Sequence, residues 1–452
     1  MAQRGGHAIV IGASMGGLMA ARALAEHYGT VTIVERDELP ASPQPRKGVP
    51  QGKHAHGLLA KGREVLEQLF PGFTQEMTLL GAPSGDIVKD CMWFNHGFYL
   101  CKTPSALIGI GTSRPLLEDA VRRRVGALPN IRLRESCNAL ELVFDPAQGR
   151  VTGVRVDARG EADGPETLGA DLVVDASGRG SRSPIWLEAL GFVKPDEEQI
   201  KVKHNYMTRE YRRKPEHLPG TMVVIMAPCK PAWRGGVLIA QEGERWILGL
   251  TGCMGDEVPA DDSGYLEYAR SLPKPEIYNV IKNAEPLSPP MPYHFKANLR
   301  RRYERLTKFP AGYLVFGDAL CSFNPIYGQG MTVACLEALA LRDILAAGRE
   351  RIAERFFPAA SRFIDTPWQI AVGGDLQNPK VEGKRNAQLR FINWYVAKLY
   401  RAGQNDPALA TAFLEVANLI HPPEALFRPG IIWRIWKGNR AMSRVNGLAE
   451  TS

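Results

Sequence analysis

The chain has 452 residues, too many for one hydrophobic core, so we expect two or three structural units. With 44% apolar and 23% charged residues and no internal repeat, the composition is that of an ordinary globular protein and argues against a solenoid. The formal net charge is +8, and arginines cluster at 122–124, 212–213 and 300–302. No stacking aromatics alternate with these clusters, so we interpret them as solvated helix and loop faces and expect no nucleic acid partner. A basic surface could also attract an anionic substrate or a membrane surface.

The cysteines and the apolar segments indicate a reducing, cytoplasmic location. Seven cysteines are scattered without C-x-x-C spacing, which argues against a disulfide framework and against a zinc site. A strand pattern begins by residue 7 with no separate apolar leader, so we expect no signal peptide. No segment reaches the ~18 consecutive apolar residues of a membrane-spanning helix.

The first predicted elements form a βαβ unit. A short apolar strand is predicted over His7–Gly12, a helix over Gly16–Tyr28 and a second strand over Val31–Glu35. This order implies a parallel sheet. Residues 38–54 are rich in proline, glycine and basic residues, so we predict a long loop of the kind that often carries function, and a helix follows over Leu58–Leu69.

The middle of the chain is predicted to be rich in strands. Strands are expected within 86–112, a helix over Arg114–Val125, a hairpin over 140–156 and another parallel strand over 171–176. Several strand-like runs within 200–298 fit a mainly antiparallel sheet that could roof a substrate.

The last third returns to the parallel sheet and then becomes helical. An apolar strand over Gly312–Gly317 leads through a Pro/Gly-rich loop into a helix over Met331–Ala346. The remainder is predicted to be helical, with breaks at the prolines at positions 358, 367, 379, 407, 422, 423 and 429.

We therefore predict an α/β fold with three parts. A Rossmann-like nucleotide-binding domain is assembled from residues 1–85, 105–185 and 300–350. A mainly antiparallel β-sheet substrate domain is inserted into it, from residues 86–104 and 186–299, and a C-terminal helical region covers 351–452.

The turn after the first strand, Gly12-Ala-Ser-Met-Gly16-Gly17, approximates the phosphate-binding pattern G-x-G-x-x-G, with Ser14 in place of the second glycine. Gly12 would permit the tight turn, and Gly17 would let the helix pack on the strand. The amides of residues 13–17 at the helix N-terminus could then hold a pyrophosphate. Glu35 ends the second strand 18 residues after Gly17, close to the ~20 expected of an acid that binds ribose hydroxyls.

A second motif also follows a strand and opens a helix: Gly317-Asp318-Ala-Leu-Cys-Ser-Phe-Asn324-Pro325-Ile-Tyr-Gly328-Gln-Gly330-Met331. Asp318 is placed to bind a ribityl hydroxyl, and the glycines permit close backbone approach to a flat ring. The positive end of the following helix would stabilise negative charge on a reduced flavin. A loop that merely turns the chain does not explain why such a signature occurs twice.

In order and spacing, residues 7–345 resemble the FAD-dependent aromatic hydroxylases with the para-hydroxybenzoate hydroxylase fold, a superfamily that includes squalene epoxidase and flavin-dependent halogenases. The resemblance implies FAD as the cofactor. It also implies that FAD is contacted by Gly12, Ser14, Met15, Gly16, Gly17, Glu35, Arg36, Arg46, Arg114, Asp318, Pro325, Gly328, Gly330 and Met331.

One signature departs from the superfamily. An Asp-Gly pair followed by Ser and Arg is expected, and the chain has Asp175-Ala-Ser177-Gly178-Arg179, with Ser177 in place of Asp. That signature is tied to nicotinamide as well as to FAD, so NADPH or NADH and a separate flavin reductase both stay open as electron sources. The altered form resembles the halogenase branch, but the Trp-x-Trp-x-Ile-Pro segment of those enzymes is missing, and neither Lys53 nor Lys61 is a convincing match for their essential lysine.

The resemblance implies a monooxygenase that hydroxylates or epoxidises an apolar or aromatic small molecule with dioxygen, through a C4a-hydroperoxyflavin. No catalytic side chain is predicted, because the flavin carries the chemistry. The aromatics at 93–94 and 98–99 would line the pocket or belong to the core. His54 and His56 lack further ligands, so no metal site is predicted. The alternatives are an FAD-retaining non-redox cyclase, a halogenase, and a flavin-binding module without catalysis.

The segment Leu426–Trp436 mixes isoleucine, tryptophan and arginine. Its apolar face is short, so we favour packing against the FAD domain or a dimer partner. Peripheral contact with a membrane surface is the alternative.

Overall fold

The computed structural model describes residues 5–158 and 164–449, without the side chains of 443–449. In this part of the chain the strands are β1 (His7–Ile11), β2 (Thr30–Val34), β3 (Ser84–Asp86), β4 (Cys91–Asn95), β5 (Phe98–Tyr99), β6 (Ile108–Ile110), β7 (Ile131–Arg134), β8 (Cys137–Asp145), β9 (Arg150–Ala158), β10 (Glu166–Gly169), β11 (Leu172–Asp175), β12 (Glu197–Arg212), β13 (Val223–Met226), β14 (Gly235–Gln241), β15 (Arg245–Cys253), β16 (Met291–Arg301), β17 (Tyr313–Val315) and β18 (Cys321–Ser322). The helices are α1 (Met15–Ala25), α2 (Ala60–Leu69), α3 (Phe73–Leu79), α4 (Arg114–Gly126), α5 (Ser183–Ala189), α6 (Asp262–Arg270), α7 (Glu276–Ile281), α8 (Gly330–Ala346), α9 (Ile352–Asp375), α10 (Ala387–Gly403), α11 (Pro407–Ala417) and α12 (Pro429–Ala449).

Five parallel strands form a Rossmann-like sheet in the order β17-β11-β1-β2-β7. Ile9 of β1 lies between Val173 of β11 and Thr32 of β2. The strands β1, β2 and β11 are short runs of buried valine, isoleucine and leucine, as expected of a parallel sheet that is covered on both faces. The predicted parallel βαβ unit is confirmed, and strands from distant parts of the sequence complete the sheet.

Helices α1 and α8 pack against each other beside this sheet. Both are apolar on most sides, and their buried residues belong to the same core as β1, β2, β11 and β17. The two helices that follow the two glycine-rich motifs are therefore held side by side by hydrophobic burial.

A second sheet of eight strands runs in the order β18-β16-β12-β15-β14-β13-β4-β5. Its pairings are antiparallel except for that of β13 with β4. The edge strand β18 belongs to the second glycine-rich motif, and Ser322 lies opposite Leu299 of β16. The pairing of β18 with β16 thus attaches the motif directly to this sheet.

The predicted helix breaks at Pro358 and Pro367 are wrong, because α9 runs through both residues. Phe356, Ala360 and Ile364 are almost completely buried in the core. Burial of this apolar face outweighs the backbone hydrogen bonds that the two prolines remove. At Pro407 and Pro429 the prediction holds, because these residues begin α11 and α12.

The interpretation of residues 300–302 as a solvated face is also wrong. Arg300 is only 2% exposed, and its Nη2 atom lies 2.6 Å from an Asp365 carboxylate oxygen. Arg301 donates a hydrogen bond of 2.9 Å to the carbonyl oxygen of Ala319. These arginines connect β16 to α9 and to the second motif, because buried guanidinium groups need charged or carbonyl partners.

Residues 5–158 and 164–449 contain no helix with the length and apolarity needed to cross a bilayer. None of the seven cysteines, all of which lie in the described residues, takes part in a disulfide. Over the same residues, no group of histidine, cysteine, aspartate and glutamate side chains is arranged to hold a metal ion.

Candidate functional site

The first glycine-rich motif forms the turn from β1 into α1. Gly12 has a φ of +104°, and a side chain there would approach the carbonyl oxygen of Ala176 to 2.8 Å. A Cβ atom on Gly17 would overlap the carbonyl oxygen of Gly12. Gly12 therefore makes the turn, and Gly17 lets α1 start directly against the strand.

The two glycine-rich motifs meet in space. A Cβ atom on Gly16 would lie 4.0 Å from the Cα atom of Gly317, although the two residues are far apart in sequence. On the other side of this contact, a Cβ atom on Gly330 would lie 3.5 Å from the Oδ1 atom of Asp318. Because these positions are glycines, the start of α1, the turn after β17 and the start of α8 can approach one another closely.

No side chain caps the N-terminus of α1 or of α8. Ser14 is the N-cap of α1 and Gln329 that of α8, and neither makes a side-chain capping bond. The first amides of a helix need partners from outside it, and the helix dipole favours negative charge at this end. Both N-termini are therefore suited to an anionic or electron-rich ligand.

A buried network of charged side chains lies beside the first motif. Arg46 contacts three carboxylates, with distances of 3.3 Å to Glu35, 2.9 Å to Asp37 and 2.9 Å to Glu118. Arg114 lies 2.7 Å from the other oxygen of Glu118. Burial alone would raise the pKa of Glu118, but Arg114 and Arg46 more than offset it and hold that pKa below its usual range. Glu118 is ionised at neutral pH and orients both arginines.

Ser14 joins this network through its hydroxyl group. The hydroxyl accepts a hydrogen bond of 2.7 Å from Arg114 and donates one of 3.1 Å to Glu118. The residue that replaces the second glycine of the fingerprint therefore connects the turn to α4.

Among the described residues, two buried guanidinium nitrogens of the network have no hydrogen-bond partner: Nη2 of Arg46 and Nε of Arg114. A buried donor without a partner is costly, so a ligand that accepts hydrogen bonds is expected beside it. A pyrophosphate provides such oxygens, and the start of α1 lies next to Arg114 through Ser14. The residues present thus fit the pyrophosphate of FAD.

Glu35 and Arg36, both predicted to contact the cofactor, lie at the end of β2 in different surroundings. Glu35 is buried, and its carboxylate accepts hydrogen bonds from the backbone N–H groups of Ala13 at 2.7 Å and of Asp37 at 3.0 Å. It therefore shapes the glycine turn, and its remaining acceptor capacity is compatible with a ribose. Arg36 is exposed.

Asp318 projects into the cleft between the two motifs. Its side chain is accessible through the cleft, and no side-chain hydrogen bond to its carboxylate occurs among the described residues. Enclosure by the surrounding protein raises the pKa of Asp318 above its usual range, and Arg114 and Arg179 oppose that rise. Such a carboxylate is suited to accept hydrogen bonds from ligand hydroxyl groups.

The rest of the second motif runs from the cleft along a large cavity. Pro325 and Gly328 line the cavity, and Gly328 has a φ of +64°. A Cβ atom on Gly328 would lie 3.5 Å from the carbonyl oxygen of Gly57. Met331 is buried in the first turn of α8.

Glu337 is a buried residue of this site that the sequence analysis missed. It lies on α8, and its carboxyl group accepts a hydrogen bond of 2.7 Å from the backbone N–H of Gly317. Burial raises the pKa of Glu337 to about 8. The side chain is therefore protonated at neutral pH and supports the turn of the second motif without adding charge.

Glu337→Gln is expected to change how stability depends on pH. The folded pKa of about 8 lies above the ordinary value of 4.5. The carboxyl therefore stabilises the fold fully below the lower value, and this contribution is lost as pH rises through the higher one. We expect the thermal midpoint of the wild type, but not of Glu337→Gln, to fall over this range, by an amount on the order of a few kcal/mol in stability. Parallel midpoint profiles for the two proteins would contradict this.

Asp175, at the end of β11, organises the turn of the altered middle signature. It accepts hydrogen bonds of 2.9 Å from the backbone N–H of Ser177 and 2.6 Å from the hydroxyl of Ser181, and a third from Ser183. The side chain of Ser177 is exposed. Asp175 thus has a structural part in the turn, which its position in the sequence alone does not reveal.

A cavity of about 730 Å³ lies between the eight-stranded sheet, the second motif and helices α9 and α10. This volume suits a drug-sized molecule, for which pockets of ~300–1,000 Å³ are usual. The predicted aromatics are divided: Trp93 and Phe94 line the cavity, and Phe98 and Tyr99 are not among its lining residues. Val223, Ile225 and Ile239 add to an apolar wall.

Four histidines line the cavity, namely His54, His56, His96 and His204, and burial lowers the pKa of each, so they are neutral at pH 7. Burial lowers the pKa of His54 to about 4, that of His56 to about 3 and that of His204 to about 4. His54 shares a hydrogen bond of 2.8 Å with Thr208, and His56 one of 2.9 Å with the carbonyl oxygen of His54. They are fixed polar groups of the wall and give it no positive charge.

Asp375, at the end of α9, is a second buried acid that the sequence analysis missed. It accepts hydrogen bonds from Asn298 at 2.7 Å, from Asn324 at 2.9 Å and from Tyr327 at 3.1 Å. Burial raises the pKa of Asp375 to about 6. Since Asn324 and Tyr327 belong to the second motif, Asp375 fixes the cavity side of that motif. Sequence offered no signal, because the acid lies in a helix and meets the motif only through tertiary packing.

No family model matches the chain. The protein Rv3254 of Mycobacterium tuberculosis (strain ATCC 25618 / H37Rv) is 34% identical over 431 residues, which cover 92% of this chain and 90% of that protein. The chain belongs to the Rv3254 family.

Solved structures show which fold this chain has. The flavin-dependent brominase Bmp2 superposes with a TM-score of 0.66 at 14% identity, covering 98% of this chain and 99% of that chain. PqsL of Pseudomonas aeruginosa, a probable FAD-dependent monooxygenase, gives 0.61 at 17% identity, covering 82% and 97%. The Diels-Alderase PyrE3 gives 0.60 at 15% identity, covering 92% and 81%.

These likenesses establish a mixed α/β fold with a Rossmann-like parallel core, shared with FAD-dependent monooxygenases and flavin-dependent halogenases. The fold that the resemblance to FAD-dependent hydroxylases and flavin-dependent halogenases implied is confirmed for this chain. Several of these solved structures are of flavin-dependent enzymes.

Proposed function

We propose that this member of the Rv3254 family is an FAD-dependent monooxygenase that hydroxylates or epoxidises an apolar or aromatic small molecule. The observation that carries the proposal is the meeting of Gly16 and Gly317, which joins two distant motifs around one cleft. That cleft continues into a cavity of about 730 Å³. One elongated cofactor and one small substrate account for both spaces.

Different residues of the cleft would contact different parts of the proposed cofactor. The start of α1, with Arg46 and Arg114, holds the pyrophosphate, because it presents uncapped amides and two unpartnered guanidinium nitrogens. Glu35 accepts hydrogen bonds from the ribose and Asp318 from the ribityl chain. The segment from Pro325 to Met331 would contact the flavin ring.

Bound and reduced FAD would activate dioxygen, and one of the two oxygen atoms would be transferred to the substrate. The protein orients the substrate and excludes water. The uncapped N-terminus of α8 provides a positive potential at the ring. The neutral histidines and the apolar wall of the cavity favour an apolar or aromatic substrate, because burial against that wall removes apolar surface from water.

Two sources of electrons are compatible with this site. Because Ser177 replaces the expected aspartate, the electrons come either from NADPH or NADH bound directly or from a separate flavin reductase. Mixing the FAD-loaded protein with each nicotinamide under anaerobic conditions separates them. Direct bleaching of the flavin absorbance assigns the first source, and bleaching only after a reductase is added assigns the second.

A non-redox cyclase is the second candidate, and the likeness to the Diels-Alderase PyrE3 favours it. A halogenase is less well supported, because the Trp-x-Trp-x-Ile-Pro segment is missing from the sequence and the lysine that lines the cavity, Lys384, is exposed. The cyclase requires the shape of the cavity but no oxidant.

The decisive assay follows oxygen uptake and product formation by the reduced, FAD-loaded protein with a panel of aromatic compounds and alkenes. We expect one product that carries one oxygen atom from dioxygen. Consumption of dioxygen that ends only in hydrogen peroxide would contradict the monooxygenase. Product formation without dioxygen, on oxidised flavin, would replace it with the cyclase.

A further inference from the structure

The C-terminal helices α10 and α12 expose an unusual number of large apolar side chains. We define the aromatic face as the side chains of Phe391 (50% exposed), Trp394 (55%), Phe427 (37%), Ile432 (45%), Trp433 (54%) and Trp436 (56%). Only five other large apolar residues of the described chain are comparably exposed, and they are scattered: Leu79, Leu80, Leu133, Ile185 and Val193. A contiguous exposed apolar patch marks an interaction site.

The aromatic face lies on two helices that pack on each other. The ring of Phe391 lies 5.8 Å from that of Trp394 and 6.3 Å from that of Phe427. Phe427 lies two residues before the start of α12, and α12 packs along α10. Ile435 faces inward and is 6% exposed, while Trp433 and Trp436 face outward. Packing of α12 against the protein, which the sequence favoured, thus uses one side of the helix and leaves the other uncovered.

The charge of these helices has one sign. In sequence, α10 carries three basic residues and α12 carries four, and neither helix contains an aspartate or a glutamate. These two helices together carry a formal charge of +7, whereas the whole chain has a formal net charge of +8. Acids are near at Asp406, which pairs with Arg434, and at Glu424 in the preceding turn. The surface as a whole is complementary to an anionic partner.

Basic and aromatic side chains are also interleaved at short range. The Nζ atom of Lys437 lies 4.8 Å from the centre of the Trp433 ring, and the Cζ atom of Arg440 lies 5.2 Å from that of Trp436. Tryptophan beside lysine or arginine is typical of helices that lie in the boundary between lipid headgroups and acyl chains. A protein partner would not require cations placed over both exposed indoles of α12.

The aromatic face lies next to the cavity. Leu389, Ile392 and Val396 of α10 line the cavity, and Phe391 and Trp394 of the same helix are exposed. Leu426 lines the cavity, and its neighbour Phe427 belongs to the face. One helix thus separates the apolar cavity from the surface.

We propose that the aromatic face docks the protein on an anionic lipid surface, with α10 and α12 lying in the headgroup region. Docking would place the cavity beside the acyl-chain layer of the lipid, in which an apolar substrate concentrates. This consequence rests on the proposed function, but docking itself does not.

The test is sedimentation of the full-length, FAD-loaded protein with vesicles of phosphatidylcholine alone and of phosphatidylcholine mixed with phosphatidylglycerol. We expect binding to the mixed vesicles, weakened by salt. The double variant Trp433→Ala/Trp436→Ala should bind about tenfold more weakly, because binding scales with buried apolar area. The matched control Leu79→Ala/Ile185→Ala removes exposed apolar side chains elsewhere and should bind like the wild type.

Three results would overturn the proposal: no binding to the mixed vesicles, equal binding by the tryptophan variant, or equal loss in the control. A fourth is a dimer, detected by light scattering, that the tryptophan variant abolishes, since the face would then belong to a second copy.

Circular dichroism shows whether each variant is folded. Charge reversal by Lys437→Glu/Arg440→Glu, which leaves the tryptophans in place, should lose preference for the anionic vesicles. Since vesicle binding is measured without turnover, its failure leaves the oxygenation assay untouched.

Discussion

Replacing Gly17 with alanine is expected to unfold the cofactor site. The added methyl group would overlap the carbonyl oxygen of Gly12, which is backbone and is fixed by the hydrogen bonds around the turn. Relief would require α1 to move away from β1, and α1 packs on α8. Overpacking of a core usually costs 1–3 kcal/mol, and a clash with backbone lies at the top of that range, so we expect a loss of about 3 kcal/mol. We also expect loss of bound flavin.

Gly126→Ala is the matched control for this change. Gly126 ends α4, and a Cβ atom there would meet no atom within 4 Å. Alanine is the better helix former, so this variant should be neutral or slightly stabilising. Thermal unfolding and the ratio of flavin to protein absorbance measure both effects. A Gly17→Ala protein that keeps its flavin and its thermal midpoint would contradict the assigned geometry.

Arg46→Ala is expected to have a comparably large effect, for an electrostatic reason. It would leave the carboxylates of Glu35, Asp37 and Glu118 without the cation that joins them. Removing one member of a buried ion pair typically costs about 3–5 kcal/mol. Flavin retention should also be lost, because one of the two unpartnered guanidinium nitrogens disappears.

Two further variants separate charge from geometry. Arg46→Lys keeps the positive charge but not the planar fork, so we expect it to recover part of the stability and little of the flavin binding. Arg123→Ala removes an arginine whose side chain is 53% exposed and pairs with Asp119, and it should change stability by no more than about 0.5 kcal/mol. If Arg46→Ala and Arg123→Ala had equal effects, the buried network would have no special importance.

The sequence predicted local parts of the fold well where only certain residue types satisfy a local backbone or burial constraint. Only glycine fits the turn at Gly12 and the contact at Gly17, so the pattern 12–17 could be interpreted without the structure. Apolar runs such as β1 and β11 likewise identify buried parallel strands.

Sequence could not predict groups that depend on long-range packing. Glu118 is four residues after Arg114, a spacing that indicates a helical ion pair, but nothing local shows that Arg46 completes it. Glu337 and Asp375 lie in helices and become site residues only because α8 and α9 pack behind the second motif. Pro358 was misleading for the same reason, since tertiary burial overrode its local preference.

The most direct test of the central claim is the flavin content of the purified full-length protein, measured before and after incubation with FAD and removal of the free compound. The account predicts one FAD per chain, released as intact FAD on denaturation, and a marked loss in Gly17→Ala. A protein that stays colourless after incubation would show that residues 12–17 and 317–331 do not form one flavin site.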